Sequence, residues 1–179
     1  MKPGLRHILP WLVLAAAWSA PCPNPPRCVS GCCSRAMSCS TFRRLRRRGA
    51  GFDYRGVFAC LRGRFRSADL VVVNLETTLT RTDRYTGYPC FRSPVALADA
   101  LRDAGVDVAV LANNHCCDGG AAGVHTTVAE LGRCGILHTG VFTDSLDRAA
   151  NNPLRVERYG VRFALLNYTY GTNGIPVPA

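Results

Sequence analysis

The chain has 179 residues, 47% of them hydrophobic and 19% charged, and a formal net charge of +10. This balance suits one folded domain with a real core and excludes disordered or collagen-like classes. The charge is concentrated: Arg43, Arg44, Arg46, Arg47, Arg48, Arg55, Arg62, Arg64 and Arg66 all fall within 41–66. Such a cluster suits nucleic acid, an anionic membrane surface or an acidic polymer. With no recognition motif and no interleaved stacking aromatics, it reads as a solvated face, and no nucleic-acid partner is expected.

Residues 1–20 have the layout of an export leader: Lys2 and Arg6, an apolar run from Ile8 to Ala17, then small residues. The run is too short to span a bilayer as a helix. Residues 21–50 form a Pro-, Cys- and Arg-rich stretch with no apolar period, expected to be irregular. Five of the ten cysteines (Cys22, Cys28, Cys32, Cys33 and Cys39) lie there, without zinc-type Cys-x-x-Cys spacing. The adjacent pairs Cys32-Cys33 and Cys116-Cys117 are not expected to bridge internally.

Residues 51–179 carry the regular pattern. Val57, Phe58, Leu61 and Phe65 recur at helical spacing and predict a helix over 54–67. Leu70-Val71-Val72-Val73 predicts a buried parallel strand ending in Asn74-Leu75-Glu76. Ser93-Pro94 has the cap and first-position proline of a helix start, with Leu97, Leu101 and Ala104 on its apolar face and Gly105 at its end. A second strand is predicted over 106–111. It leads into Asn113-Asn114-His115-Cys116-Cys117-Asp118, after which Gly119-Gly120 opens a helix bearing Val124, Val128 and Leu131 and ending at Gly135. A short strand over 136–139 follows, then a hairpin of 154–157 and 161–166 around Tyr159-Gly160. Strand, helix, strand, helix, strand is the pattern of a parallel α/β sheet.

In such sheets ligands gather beyond the carboxyl ends of the strands. Two predicted strands end in polar clusters, Asn74 and Glu76 on one and Asn113, Asn114, His115 and Asp118 on the other. If the strands are neighbours, the clusters face one crevice. Asn74, Glu76, Asn114 and His115 are suitable donors for a divalent metal ion. His115 and Asp118 are the candidate catalytic pair, with His115 suited to acid or base work. The plainer reading is that Asn and His after a strand cap the next helix. His125 and His138 are weaker candidates. Asp118-Gly119-Gly120-Ala121-Ala122-Gly123 lacks the lysine and spacing of a phosphate loop and is discounted. No other cofactor is expected.

Several blocks resemble the bacterial capsule-synthesis CapA family. They are Asp69-Leu70-Val71-Val72-Val73-Asn74-Leu75-Glu76-Thr77-Thr78-Leu79, Tyr85-Thr86-Gly87-Tyr88-Pro89-Cys90-Phe91, Ala112-Asn113-Asn114-His115 with Asp118 and Gly119, Leu137-His138-Thr139-Gly140, and Leu165-Leu166-Asn167-Tyr168-Thr169-Tyr170-Gly171-Thr172-Asn173-Gly174. The resemblance implies a metallophosphoesterase-like α/β fold, a two-sheet sandwich flanked by helices. It also implies that Asn74, Glu76, Asn114 and His115 sit where that superfamily places metal and phosphate contacts. Its members are linked to capsule or poly-γ-glutamate export and are commonly membrane-associated.

Two departures are visible. The family opens with a strand ending in a Gly-Asp-x-Met-x-His type motif. Here Ser34-Arg35-Ala36-Met37-Ser38-Cys39 falls near that place, with Arg35 at the acidic position, Cys39 at the histidine position and no apolar strand before them. The family also continues beyond the equivalent of Ala179, so the chain is expected to be the N-terminal, truncated part of the sandwich. Three functions follow as expectations: an exported, envelope- or membrane-associated protein that handles an anionic capsule polymer or joins a capsule synthesis complex; a metal-dependent phosphoesterase; or an inactive fragment.

Overall fold

The computed structural model describes residues 52–178 in full and the backbone of 13–18 and 28–32. In chain order the elements are β1 (Val13–Trp18), β2 (Cys28–Cys32), α1 (Ala59–Arg66), β3 (Leu70–Asn74), β4 (Thr78–Thr80), β5 (Arg92–Pro94), α2 (Ala96–Ala104), β6 (Val108–Val110), α3 (Gly120–Arg133), β7 (Leu137–Thr139), α4 (Ser145–Asn151), β8 (Leu154–Arg158) and β9 (Val161–Asn167). Strands β2, β3, β6 and β7 form a parallel sheet in that order. Strands β1, β9 and β8 form an antiparallel sheet, and β4 and β5 a short parallel pair. The mixed α/β class is as expected.

All of β3 is buried, and its side chains divide between two cores. Leu70 and Val72 pack with Val108, Val110, Leu154, Val156, Phe163 and Leu165, joining the parallel sheet to the antiparallel one. Val71 and Val73 pack on the other side with Phe58, Leu97, Leu101 and Leu131, beneath α1, α2 and α3. Successive strand residues point to opposite faces, so a strand covered on both has no polar side to alternate with. That is why it reads as an unbroken apolar run. Each such buried side chain contributes roughly 1.5–3 kcal/mol.

Gly105 ends α2 in the left-handed region at φ +102, as the sequence predicts. Gly119 and Gly120 open α3, and the hairpin turns at Tyr159-Gly160. Other expectations need correction. Ser93 and Pro94 do not start a helix; they lie in β5, and α2 begins at Ala96 with no side-chain cap. The Ser93 hydroxyl is 2.9 Å from that of Thr77, so it serves the β4–β5 connection instead of the helix. The first helix is shorter than 54–67, and Leu61 is exposed while Phe58 and Phe65 are buried.

β2 lies inside the stretch expected to be irregular, so a strand does precede Ser34. Its pairing with β3 sets Cys32 in register with Asn74. Cross-strand pairing outweighs local composition there. β1 lies in the apolar run read as a leader, and such a run suits a leader and a strand equally well. Residues 34–39 and Arg43 to Arg48 lie outside the described residues. Of the remaining arginines in the cluster, Arg62 and Arg66 pair with Asp103 of α2, as a solvated helix face does. Among the described residues no helix is long and apolar enough to cross a membrane.

Candidate functional site

β3 and β6 are neighbours, so their two polar ends meet. The joint is made by Asn113, which is fully buried. Its Nδ2 donates to Asn74 Oδ1 (3.2 Å) and to the Leu75 carbonyl (2.9 Å), while its Oδ1 accepts the His115 backbone N–H at 3.0 Å. A buried amide is costly unless its polar atoms are paired, and this one ties two strand ends together. For Asn113 the structural reading is therefore the right one.

His115 is different in kind. Its Nδ1 lies 2.8 Å from Asp118 Oδ2, in a pair whose side chains are only 8% and 1% exposed. Asn173 Nδ2 lies 3.4 Å from the same Nδ1. The carboxylate is closer and charged, so it fixes Nδ1 as the protonated nitrogen and leaves Nε2 as the acceptor. The Phe91 ring stands edge-on to the imidazole with centroids 4.4 Å apart.

Asp118 Oδ2 also accepts the Phe91 backbone N–H. Arg92 donates from Nε and Nη2 to the Asp118 carbonyl, at 3.0 and 2.9 Å. Asp118 Oδ1 is buried with no hydrogen-bond partner among the described residues. A buried carboxylate oxygen left open in this way is an acceptor awaiting a donor.

The second sheet holds the loop from behind. The Asn167 side chain at the end of β9 accepts from the Ala112 N–H and donates to the Ala112 carbonyl. Asn114 is half-buried, and its Nδ2 donates to Asn173 Oδ1 at 3.2 Å. The site thus draws on β3, β6, the start of α3, the segment before β5 and the chain after β9.

Residues 33–178 match a family model described as bacterial capsule synthesis protein PGA_cap. The chain belongs to this family. Its function is accordingly related to capsule biosynthesis. Comparison with curated proteins gives no match.

Within this chain Asn74 is bonded to Asn113, Asn114 and His115 both approach Asn173, and His115 pairs with Asp118. Glu76 is half-buried two residues beyond Asn74 and is not without a partner. Among the described residues no three His, Cys, Asp or Glu side chains gather in a way that could hold a metal ion. Sequence reasoning gave no role to Phe91, Arg92, Asn167 or Asn173. Phe91, Asn167 and Asn173 stand in blocks that carry the family resemblance, but only the fold reveals that Phe91 and Asn173 meet at His115 while Asn167 holds the Ala112 backbone.

The cysteines of the loop are unbridged: Cys116 Sγ and Cys117 Sγ are 3.8 Å apart. Burial, then the neighbouring Cys116 and Asp118, push the Cys117 thiol up to about 12. At neutral pH it is an inert, protonated thiol.

His138 sits apart, in the middle of β7, with Nε2 3.1 Å from Asp147 of α4. Burial holds the ring below its ordinary 6.5, against the opposing pull of Asp147. The unfolded chain therefore binds this proton more readily than the folded one. Its contribution to stability is present above about pH 6.5 and is lost as pH falls through the folded value. Urea unfolding at pH 7.5 and 5 is expected to show a smaller acid loss for His138→Gln than for the wild type. Equal losses would contradict this.

Proposed function

We propose that the protein acts in the biosynthesis or export of an anionic capsule polymer of the poly-γ-glutamate type, with the His115–Asp118 pair as its working centre. The observation that carries the reading is this pair, with one oxygen of Asp118 left open, at the carboxyl edge of the parallel sheet of a PGA_cap-family chain. Asp118 holds the imidazole in one tautomer, and His115 Nε2 takes or returns a proton at the polymer group placed before it. Phe91 sets the ring plane. Were residues 1–20 to serve as an export leader, the protein would reach the cell envelope, near the membrane and a capsule synthesis complex. Deleting the gene from a capsulated host tests this reading. Capsular polymer should fall and return on complementation, whereas unchanged polymer would overturn the proposal.

A second reading, metal-dependent phosphoester hydrolysis, is favoured by one observation: two packed sheets share a core, as in the metallophosphoesterase-like sandwich. Asn74, Glu76, Asn114 and His115 Nε2 are the donors it would use, and a metal there would polarise a phosphoryl oxygen. Among the described residues no three His, Cys, Asp or Glu side chains gather, so the described donors do not complete a site, although an Nδ1 bonded to Asp118 leaves His115 Nε2 open to a metal. Calorimetry with manganese or zinc, together with turnover of an aryl phosphate, decides this reading, and absence of both would overturn it.

A further inference from the structure

Beside the His115 site lies a groove of about 440 Å³, walled by β4, the turn after it, Arg92 of β5 and the first turns of α3. Arg81, Arg84 and Arg92 line it together with the hydroxyl-bearing Thr80, Thr82 and Thr126, and no carboxylate is among its lining residues. The three arginines are in different states. Arg81 is matched by the buried Glu130. Arg92 is held by a main-chain carbonyl, which orients its guanidinium without cancelling its charge. Arg84 is exposed and forms no ion pair among the described residues. Two uncompensated guanidinium groups thus face a space that also offers neutral hydroxyl donors.

The mouth of α3 borders the groove as well: its first turn carries no acidic residue, and Gly119 gives it no side-chain cap. A fork of guanidinium donors with hydroxyls alongside is the chemistry that recognises an oxyanion, a carboxylate above all when two planar groups can meet. The groove is also wired to the reactive pair. Arg92 grips the carbonyl of Asp118, whose carboxylate holds His115.

We propose that this groove binds carboxylate groups of an acidic polymer and so seats the chain next to His115. The proposal rests on the polymer reading above for the identity of the ligand, but the groove and its charge do not. The polymer reaches Arg84 first, because it is the exposed cation, and Arg92 carries the register to the site.

The test is binding of short oligo-γ-glutamate to the full chain, read by calorimetry or fluorescence polarisation. Parallel arms use inorganic phosphate and an uncharged oligo-glutamine. Arg84→Gln is expected to weaken oligo-γ-glutamate binding about five- to tenfold, the range for losing one charge-assisted contact at an exposed position. Arg155→Gln, an exposed arginine of β8 away from the groove, removes the same charge and should change binding less than about twofold. Oligo-glutamine should not bind, and phosphate should compete weakly. Equal losses in Arg84→Gln and Arg155→Gln would overturn the proposal, since binding would then reflect only the net charge of +10. Tight phosphate binding without oligo-γ-glutamate binding would overturn the polymer as ligand. The readout involves no turnover and no cell, so it stands or falls separately from the role of His115.

Discussion

Gly140→Ala is expected to lower stability by about 2–5 kcal/mol, combining left-handed backbone strain with overpacking. Gly140 has φ +96, and a Cβ there would lie 2.2 Å from Asn167 Oδ1 and 2.7 Å from the Ala112 nitrogen. Those two atoms form the bond that ties β9 to the loop after β6. The added methyl must displace the Asn167 amide or shift β7, and both break the support behind Asn113. Gly135→Ala is the comparison: φ is +67, but the space is open, so only about 1–2 kcal/mol of backbone strain applies. Denaturant midpoints of the two variants check this, and equal shifts would show that the Asn167 contact carries no weight.

The second large effect is at Asp118. Asp118→Ala removes the acceptor of both the part-buried Phe91 N–H and the buried His115 ring. The expected loss is about 2–4 kcal/mol, as for other buried polar groups deprived of partners. Asp118→Asn keeps the size and one acceptor oxygen but not the charge that fixes the imidazole tautomer. It is expected to unfold within about 1–2 kcal/mol of the wild type, yet to support no more polymer than Asp118→Ala. Normal polymer with Asp118→Asn would mean that the carboxylate serves packing alone.

The parts of the fold legible in the sequence were those governed by local rules. The β3 run, Gly105, the Gly119-Gly120 opening and the Tyr159-Gly160 turn each follow from residues within a few positions of one another. Ser93-Pro94 misled because a good helix-start signal was overridden by the pairing of β5 with β4, which has no local signature. β2 was missed for the same reason. The site divided likewise. Asn74, Asn114, His115 and Asp118 stood out as polar residues following apolar strands. Arg92 and Asn167 lie 26 and 55 residues from the positions they support, a distance that no periodicity reports. For Asn113 the sequence left structure and function open, and only its burial and bonding within the joint show what it does.

The most direct test of the account is the amount of capsular polymer made by host cells carrying His115→Ala in place of the wild-type gene, with equal protein levels verified by immunoblot. Loss of a positioned acid–base group costs about 10²- to 10⁴-fold in the step it serves. Polymer is therefore expected to fall to the level of the deletion strain, while Cys60→Ser, an exposed position away from the site, should leave it unchanged. Wild-type polymer levels in the His115→Ala strain would contradict the claim that this pair is the working centre.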